Sequence, residues 1–157
     1  MAKRSAGILL YRRGAGGVEV LLVHPGGPLW ARRDAGAWSI PKGEYGDGED
    51  PLAVALREFE EETGQRPPAA GLVALGEVRQ KGGKVVSAWA APGDLDPEAI
   101  TSNTFTMEWP PRSGTRRAFP EVDRAGWFDL ATAREKLLAG QAGLVDRLVA
   151  ALGEGGA

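Results

Sequence analysis

Three glutamates, Glu58, Glu61 and Glu62, have a spacing that would bring their carboxylates close together on a helix. At 100° per residue they project within an arc of about 100°. Like charges at this spacing destabilise an isolated helix, but a divalent cation would reverse that effect. Hard cations such as Mg²⁺ take oxygen ligands and keep several waters, so these carboxylates and substrate phosphate oxygens could share an ion. The alternative is a solvated acidic face in which Arg57 and Glu61 form an i, i+4 pair.

The segment that carries these glutamates has start and stop signals for a helix. Asp50 can cap its N-terminus, and Pro51 suits the first helical position because proline has no amide hydrogen to lose there. Gly64 suits a left-handed residue after the last turn, so the helix should end near Thr63. The apolar stripe that should face a core consists of Leu52, Ala55, Leu56, Phe59 and Thr63.

A longer pattern begins upstream of the helix and follows G-x5-E-x7-R-E-U-x-E-E-x-G, with Phe59 at the apolar U position. Its fixed positions are Gly43, Glu49, Arg57, Glu58, Glu61, Glu62 and Gly64. At ordinary residue frequencies, seven such matches arise by chance about once in 10⁷ starting points. The pattern resembles the signature of the Nudix (MutT-like) hydrolases. It departs from that signature at Gln65, where the family usually has an aliphatic residue.

The resemblance implies a metal site for Mg²⁺, or for Mn²⁺ in its place. Glu58 and Glu62 would be the principal ligands, Glu61 a shared ligand or the base, and Gly43 would contribute its backbone carbonyl. The family varies in which glutamate accepts the proton from water, so Glu58 and Glu61 are both candidate catalytic residues.

The other motif residues have supporting roles by the same resemblance. Arg57 would orient a glutamate rather than touch substrate, and Glu49 would hold the motif loop through hydrogen bonds. Glu121, in the segment before Trp127, is a candidate extra ligand or base, with Asp123 as its rival.

Candidate substrate contacts lie outside the helix. Lys42 could contact phosphate or be a solvated loop lysine, and Arg112 belongs to an arginine-rich loop that could face either a polyphosphate or solvent. Aromatic rings that could stack on a nucleobase come from Trp30, Trp38, Phe105 or Trp109.

The implied reaction is hydrolysis of a nucleoside diphosphate linked to another group. The stretch from Trp38 to Gly43 looks more like the W-x-x-P-K-G of dinucleoside-polyphosphate and RNA 5′-pyrophosphate hydrolases than the P-G-G of oxidised-nucleotide sanitising members. We therefore expect a small-molecule nucleotide with a polyphosphate, and keep an RNA 5′ end as a less favoured substrate. A nucleotide-pool sanitising pyrophosphatase, a non-catalytic nucleotide sensor and an isomerase are the alternatives.

Composition sets the wider limits. The 157 residues fit one domain, 1–157, with residues 153–157 as a frayed tail, and the net charge of −2 does not indicate a nucleic-acid-binding surface. The chain has no cysteine, so metal ligands must be oxygen atoms or the lone His24. No stretch approaches the length of a membrane span, and we expect a cytoplasmic monomer or homodimer.

The elements that must position these residues follow from short apolar runs and turn signals. Strands are predicted at 5–12, 18–24, 38–40, 72–78, 84–91, 104–109 and within 121–129, and further helices at 131–138 and 142–152. Residues 41–48 and 110–120 are predicted loops. The resemblance implies an α+β fold in which helices cover both faces of a mixed sheet.

Overall fold

A mixed sheet forms the centre of the molecule in a computed structural model that describes residues 3–68 and 70–153. In chain order the helices and strands are β1 (Arg4–Gly14), β2 (Gly17–Pro25), β3 (Lys42–Glu44), α1 (Pro51–Thr63), β4 (Val73–Arg79), β5 (Val85–Pro92), β6 (Thr104–Glu108), β7 (Arg116–Pro120), β8 (Val122–Asp129), α2 (Leu130–Lys136) and α3 (Gly143–Leu152). The main sheet has the order β4-β5-β1-β2-β8, and β3 pairs with the N-terminal part of β1. Strands β1 and β5 are parallel, whereas the other pairs are antiparallel.

The two faces of β1 bury separate apolar clusters because successive side chains of a strand point to opposite sides. Ile8 and Leu10 pack in a cluster with Phe59 of α1. Leu9 packs on the other face in a cluster with Leu148 of α3. The sheet therefore lies between helices, and the expected α+β sandwich is confirmed.

Predicted elements with strong local signals are confirmed. The first hairpin, β1–β2, and the later hairpin, β4–β5, are both antiparallel, and an irregularity in register lies between Ala74 and Gly76. Helix α1 ends at Thr63, and Gly64 follows in the left-handed conformation with φ 74°. The predicted C-terminal helices correspond to α2 and α3. Residues 154–157 of the predicted tail lie outside the described residues.

The predicted strand at 38–40 is wrong, and the strand begins four residues later as β3 (Lys42–Glu44). Trp38 and Ser39 form only isolated bridges with other segments. The amide of Ile40 donates to the side chain of Gln141, 3.1 Å away, and Pro41 has no amide hydrogen to donate. The ladder is therefore interrupted before Lys42.

The predicted loop at 110–120 is also corrected, because its second half forms β7. This strand pairs with β6 in a two-stranded sheet separate from the main one. Phe105 and Phe119 face each other across the pair with ring centroids 6.0 Å apart. The carboxylate of Glu108 accepts hydrogen bonds from the amides of Arg112 and Gly114 and holds the turn.

Helix α1 differs from its prediction in two details. Asp50 occupies the N-cap position, but its side chain makes no capping hydrogen bond. Val54 is buried instead of Leu52 and Leu56, which are only partly buried against the core. Across the described residues, no helix combines the length and apolar character that crossing a bilayer requires.

Candidate active site

Strand β3 brings Gly43 directly against the glutamate face of α1. A Cβ atom on Gly43 would lie 2.1 Å from a carboxylate oxygen of Glu58, which is far inside van der Waals contact. The pairing of β3 with β1 fixes this approach, since Gly43 is opposite Ala6 in the register. Glycine is therefore needed here because any side chain would displace the Glu58 carboxylate.

Glu58 and Glu61 form a coupled carboxyl pair. Burial is the main reason why the pKa of Glu58 is raised to about 7; a hydrogen bond and repulsion from Glu61 add to the rise, and Arg57 opposes it. The Glu58 side chain is only 16% exposed, whereas that of Glu61 is 39% exposed. A cation between the two carboxyl groups would favour the ionised form of Glu58.

Glu62 is the most strongly perturbed carboxyl group of the site. Burial raises its pKa to about 8, with Glu58 and Glu121 contributing, although the charge and backbone amide of Lys42 oppose the rise. Burial in turn lowers the pKa of Lys42, against the attraction of Glu62 and Glu58. The two residues line one cavity of about 190 Å³, which we call the catalytic cavity.

Glu121 completes the acidic side of the catalytic cavity from the end of β7. It lines the cavity directly, and partial burial followed by repulsion from Glu61 raises its pKa. Its rival, Asp123, contacts His24 instead, with 2.8 Å between the carboxylate and Nδ1. The other ring nitrogen of His24 lies 2.6 Å from the carbonyl oxygen of Arg33, so this buried imidazole is occupied by structural contacts.

The donor set fits a hard divalent cation. Its members are carboxylate oxygens; burial first, and then their mutual repulsion, raises the pKa values of Glu58, Glu62 and Glu121, and a cation would offset that repulsion. Among the described residues, no three acidic or imidazole groups already converge enough to enclose an ion. Mg²⁺ commonly takes one or two carboxylates and fills its remaining positions with water and phosphate oxygens, so an open arrangement suits it.

Arg57 and Glu49 hold the motif loop and helix together. The guanidinium of Arg57 lies 3.7 Å from carboxylate oxygens of Glu49 and Glu58 and 3.9 Å from one of Glu61. Glu49 also accepts a hydrogen bond of 2.9 Å from the amide of Gly46. These contacts are compatible with the orienting role of Arg57 and the loop-holding role of Glu49.

Two residues that were predicted to contact substrate, Trp38 and Arg112, are not among the described residues that line the catalytic cavity. The Trp38 side chain belongs to the core, where the residue is 5% exposed, packs edge-on against Phe128 and donates its indole N–H to Asp34. Its burial corrects the prediction, because a buried ring leaves no face for a base. Arg112 is exposed in the β6–β7 turn, and the described walls of the catalytic cavity do not include it.

The structure also reveals a positioning residue that the sequence did not. Gln141 is fully buried, accepts from the amide of Ile40 and donates to the hydroxyl of Ser39. Its amide also donates to the side-chain oxygen of Gln80. These contacts fix the segment that leads into Lys42 and Gly43. No local pattern marks Gln141, because its partners come from distant parts of the chain.

A second cavity of about 240 Å³ adjoins the catalytic cavity. The two share Pro25, Trp30 and Glu121 in their walls. Phe105 and Met107 of β6 form the far side. Trp30 and Phe105, two of the aromatic residues predicted as candidates for base stacking, therefore lie in its walls.

Comparison with known proteins gives a match across nearly the whole chain. The family model described as NUDIX domain matches residues 1–148. Over 61 residues the chain is 46% identical to an RNA pyrophosphohydrolase of Roseobacter denitrificans, a match that covers 36% of this chain and 38% of that protein. It is 34% identical over 107 residues to an octanoyltransferase of Myxococcus xanthus, covering 65% of this chain and 25% of that protein. The chain thus spans less than two fifths of either relative.

Solved structures share the fold. The binary complex of a C. elegans Ap4A hydrolase has a TM-score of 0.65 and 24% identity, with 97% of this chain and 98% of that chain covered. The NUDIX domain of Shewanella oneidensis NrtR, complexed with ADP ribose, has a TM-score of 0.65 and 19% identity, with 97% and 89% covered. Identities this low are evidence of a common architecture alone.

Proposed function

Because this chain belongs to the NUDIX family, we propose that it hydrolyses a pyrophosphate linkage in a nucleoside diphosphate derivative with the help of Mg²⁺. One observation carries the proposal. Four glutamates, Glu58, Glu61, Glu62 and Glu121, influence one another electrostatically, and two of them, Glu62 and Glu121, line a cavity together with Lys42. A solvated acidic helix face would not need a part-buried lysine beside it or a glycine pressed against a carboxylate.

The helix glutamates would hold the metal. Burial raises the pKa values of Glu58 and Glu62 most, so these two are the proposed principal ligands, with Glu61 shared and the Gly43 carbonyl as a further donor. A bound Mg²⁺ neutralises phosphate charge and lowers the pKa of water, which are the contributions that phosphoryl substitution needs most. Arg57 holds the carboxylates of Glu58 and Glu61 in position through its contacts with both.

The remaining groups position phosphate and remove a proton. In the reaction, a water oxygen forms a bond to phosphorus, the bridging P–O bond breaks, and a carboxylate takes the proton of the water. Glu61 is the proposed base because its side chain is more exposed than that of Glu58, and Glu58 and Glu121 are the other candidates. Lys42 lines the same cavity as Glu62 and Glu121 and is the proposed phosphate contact.

We propose a nucleoside or dinucleoside polyphosphate as substrate. The W-x-x-P-K-G stretch and the similarity to an RNA pyrophosphohydrolase support this class, and the fold shared with an Ap4A hydrolase is compatible with it. The same observations make an RNA 5′ end the second substrate to test. The chain shares its fold with a NUDIX domain that binds ADP ribose, so a non-catalytic nucleotide sensor is the alternative function. The intact set of motif glutamates favours hydrolysis over binding alone.

The decisive experiment is a substrate panel in H₂¹⁸O. Purified protein is incubated with nucleoside triphosphates, dinucleoside polyphosphates, nucleotide sugars, ADP-ribose and 5′-triphosphate RNA, with Mg²⁺, with Mn²⁺ or with chelator. Mass spectrometry should find one ¹⁸O in a phosphate product, metal-dependent turnover, and a loss of at least two orders of magnitude in Glu58→Gln. Tight binding without labelled product across the panel would refute hydrolysis and favour the sensor.

A further inference from the structure

We propose that Ser102 is a positioning residue that sets where Glu121 lies relative to the glutamates of helix α1. This inference rests on the proposed function, since it concerns groups that would hold the metal or accept the proton there. Residues 101–103 lie directly before β6, and we call them the bridge segment. They connect the C-terminal turn of α1, which carries Glu61, to the start of β8, which follows Glu121.

One end of the bridge segment closes the C-terminal end of helix α1. The last carbonyl groups of a helix have no partner within the helix. Here the carbonyl of Glu61 accepts from the amide of Asn103 at 2.9 Å. The carbonyl of Thr63 accepts from the amide of Thr101, also at 2.9 Å. A Cβ atom on Gly64 would lie 2.8 Å from the carbonyl oxygen of Thr101, so the bridge segment is seated directly against the helix.

The other end of the bridge segment fixes the backbone of Glu121. The amide of Glu121 donates to the carbonyl of Asn103 at 2.8 Å, and its carbonyl accepts from the amide of Gly26 at 2.9 Å. Both backbone hydrogen-bonding groups of Glu121 are therefore occupied. Because the amide of Asn103 also donates to Glu61, a single residue links the main chains of two glutamates that come from different elements.

The hydroxyl of Ser102 fastens this link at a point where the sheet cannot. Pro25 is the register partner of Val122, at an irregularity between β2 and β8, and proline has no amide hydrogen to donate. The Oγ atom of Ser102 accepts from the amide of Val122 at 3.1 Å. Its one hydrogen is directed to the carbonyl of Asn103, 2.8 Å away, or to that of Val122, 3.2 Å away. The hydroxyl thereby holds both the acceptor of the Glu121 amide and the residue that follows Glu121.

The position of Glu121 needs such a restraint because nearby carboxylates repel it. Partial burial and then repulsion from Glu61 raise the pKa of Glu121, whose residue lines the catalytic cavity. A misplacement of about 1 Å in a reacting geometry can cost about 100-fold in rate. Ser102 is not among the described residues that line either cavity, so its loss should act through Glu121 and lower kcat more than it raises KM.

The test is a double-mutant cycle on the best substrate of the panel. Wild type is compared with Ser102→Ala, Glu121→Gln and the double variant. We expect Ser102→Ala to lower kcat about tenfold and to change KM less than about twofold, and Ser102→Thr, which keeps the hydroxyl, to restore kcat. In the Glu121→Gln background, Ser102→Ala should change kcat less than about twofold, because the carboxylate that it positions is already absent.

Ser113→Ala is the matched control. The Ser113 hydroxyl also accepts from a backbone amide, at 3.1 Å, but it lies in the β6–β7 turn and has no bond to the Glu121 segment. This variant should leave kcat unchanged in both backgrounds. An equal loss of kcat from Ser102→Ala with and without the Glu121 carboxylate would overturn the inference, since a general loss of structure acts in both. Wild-type kcat in either Ser102→Ala or Glu121→Gln would overturn it as well.

Hydrogen exchange provides a readout that does not depend on activity. In Ser102→Ala the amides of Val122 and Glu121 should both exchange at least about tenfold faster than in wild type, whereas Ser113→Ala should change neither. Unchanged protection of the Glu121 amide in Ser102→Ala would show that Ser102 does not hold this residue. If wild type hydrolyses no substrate, the proposed function fails, and the exchange experiment still decides whether Ser102 fixes Glu121.

Discussion

Replacing Glu62 by glutamine should abolish most activity and yet stabilise the metal-free protein at alkaline pH. The folded protein raises the pKa of Glu62 from its usual 4.5 to about 8, mainly through burial. Because the folded-state pKa lies above the unfolded one, the protonated form favours folding, and stability is lost as pH rises from about 4.5 to 8. Glutamine has no charge to bury at any pH, so the variant should not lose this stability.

The size of the expected stability change follows from the two pKa values of Glu62, 4.5 in the unfolded chain and about 8 in the folded protein. At 1.36 kcal/mol per pH unit, the rise from 4.5 to about 8 corresponds to an upper limit of about 5 kcal/mol. The pKa of about 8 already includes the opposing attraction of Lys42. We expect Glu62→Gln to gain a few kcal/mol over wild type above pH 8 and at most about 1 kcal/mol at pH 5, provided that metal is absent.

The assay is urea-induced unfolding in chelator at pH 5 and pH 9, with hydrolysis measured separately in Mg²⁺. Glu60→Gln is the matched control, because Glu60 lies on the exposed side of the same helix and should change stability by less than about 0.5 kcal/mol. A Glu62→Gln variant that is destabilised at pH 9, or stabilised equally at both pH values, would refute the reasoning. Near wild-type turnover would remove the proposed ligand role.

Three further predictions follow from the same geometry. Gly43→Ala should lower kcat at least tenfold and destabilise by about 1–3 kcal/mol because its Cβ meets the Glu58 carboxylate, whereas Gly16→Ala, with open space around it, should do neither; kinetics and urea unfolding check both. Gln141→Leu should cost about 1–3 kcal/mol and speed hydrogen exchange at the Ile40 amide, which loses its acceptor; unchanged exchange would contradict its positioning role. Mg²⁺ should raise the melting temperature more at pH 8 than at pH 6, because the glutamates with pKa values of about 7 and 8 must lose protons to bind it; equal shifts in calorimetry would count against a carboxylate site.

The predictable part of the fold is the part specified locally. Helix α1 carries Pro51 at its start and Gly64 after its end, and its bounds were predicted for that reason. Strand β3 was missed because its partner is at the beginning of the chain and its position depends on the hydrogen bond from Ile40 to Gln141. Strand β7 was missed because two adjacent arginines obscure its alternation, and pairing with β6 organises it.

The site divides in the same way. The glutamates and Gly43 could be predicted because their chemistry depends on spacing along one helix and one loop. Trp38 could not be placed correctly, since residue type does not tell whether an aromatic ring faces a ligand or a core. The second cavity and Gln141 depend on contacts between distant segments; the hydrogen bond from Gln141 to Ser39, for example, joins residues 102 positions apart in the chain. The sequence offers aromatic candidates such as Trp30 and Phe105 but no signal for the contacts that bring the walls of the cavity together.

Gln141 lies late in the chain, and this position affects the order in which the parts of the candidate active site can form during synthesis. Helix α1, with its carboxylates, is complete long before Gln141 has been synthesised, but the segment that delivers Lys42 and Gly43 obtains its buried hydrogen bonds only afterwards. A nascent polypeptide that ends before Gln141 therefore has the acidic residues without the hydrogen bonds that hold the segment before Lys42 and Gly43. The candidate active site can therefore be fully assembled only after the C-terminal part of the domain, which contains Gln141, has been translated.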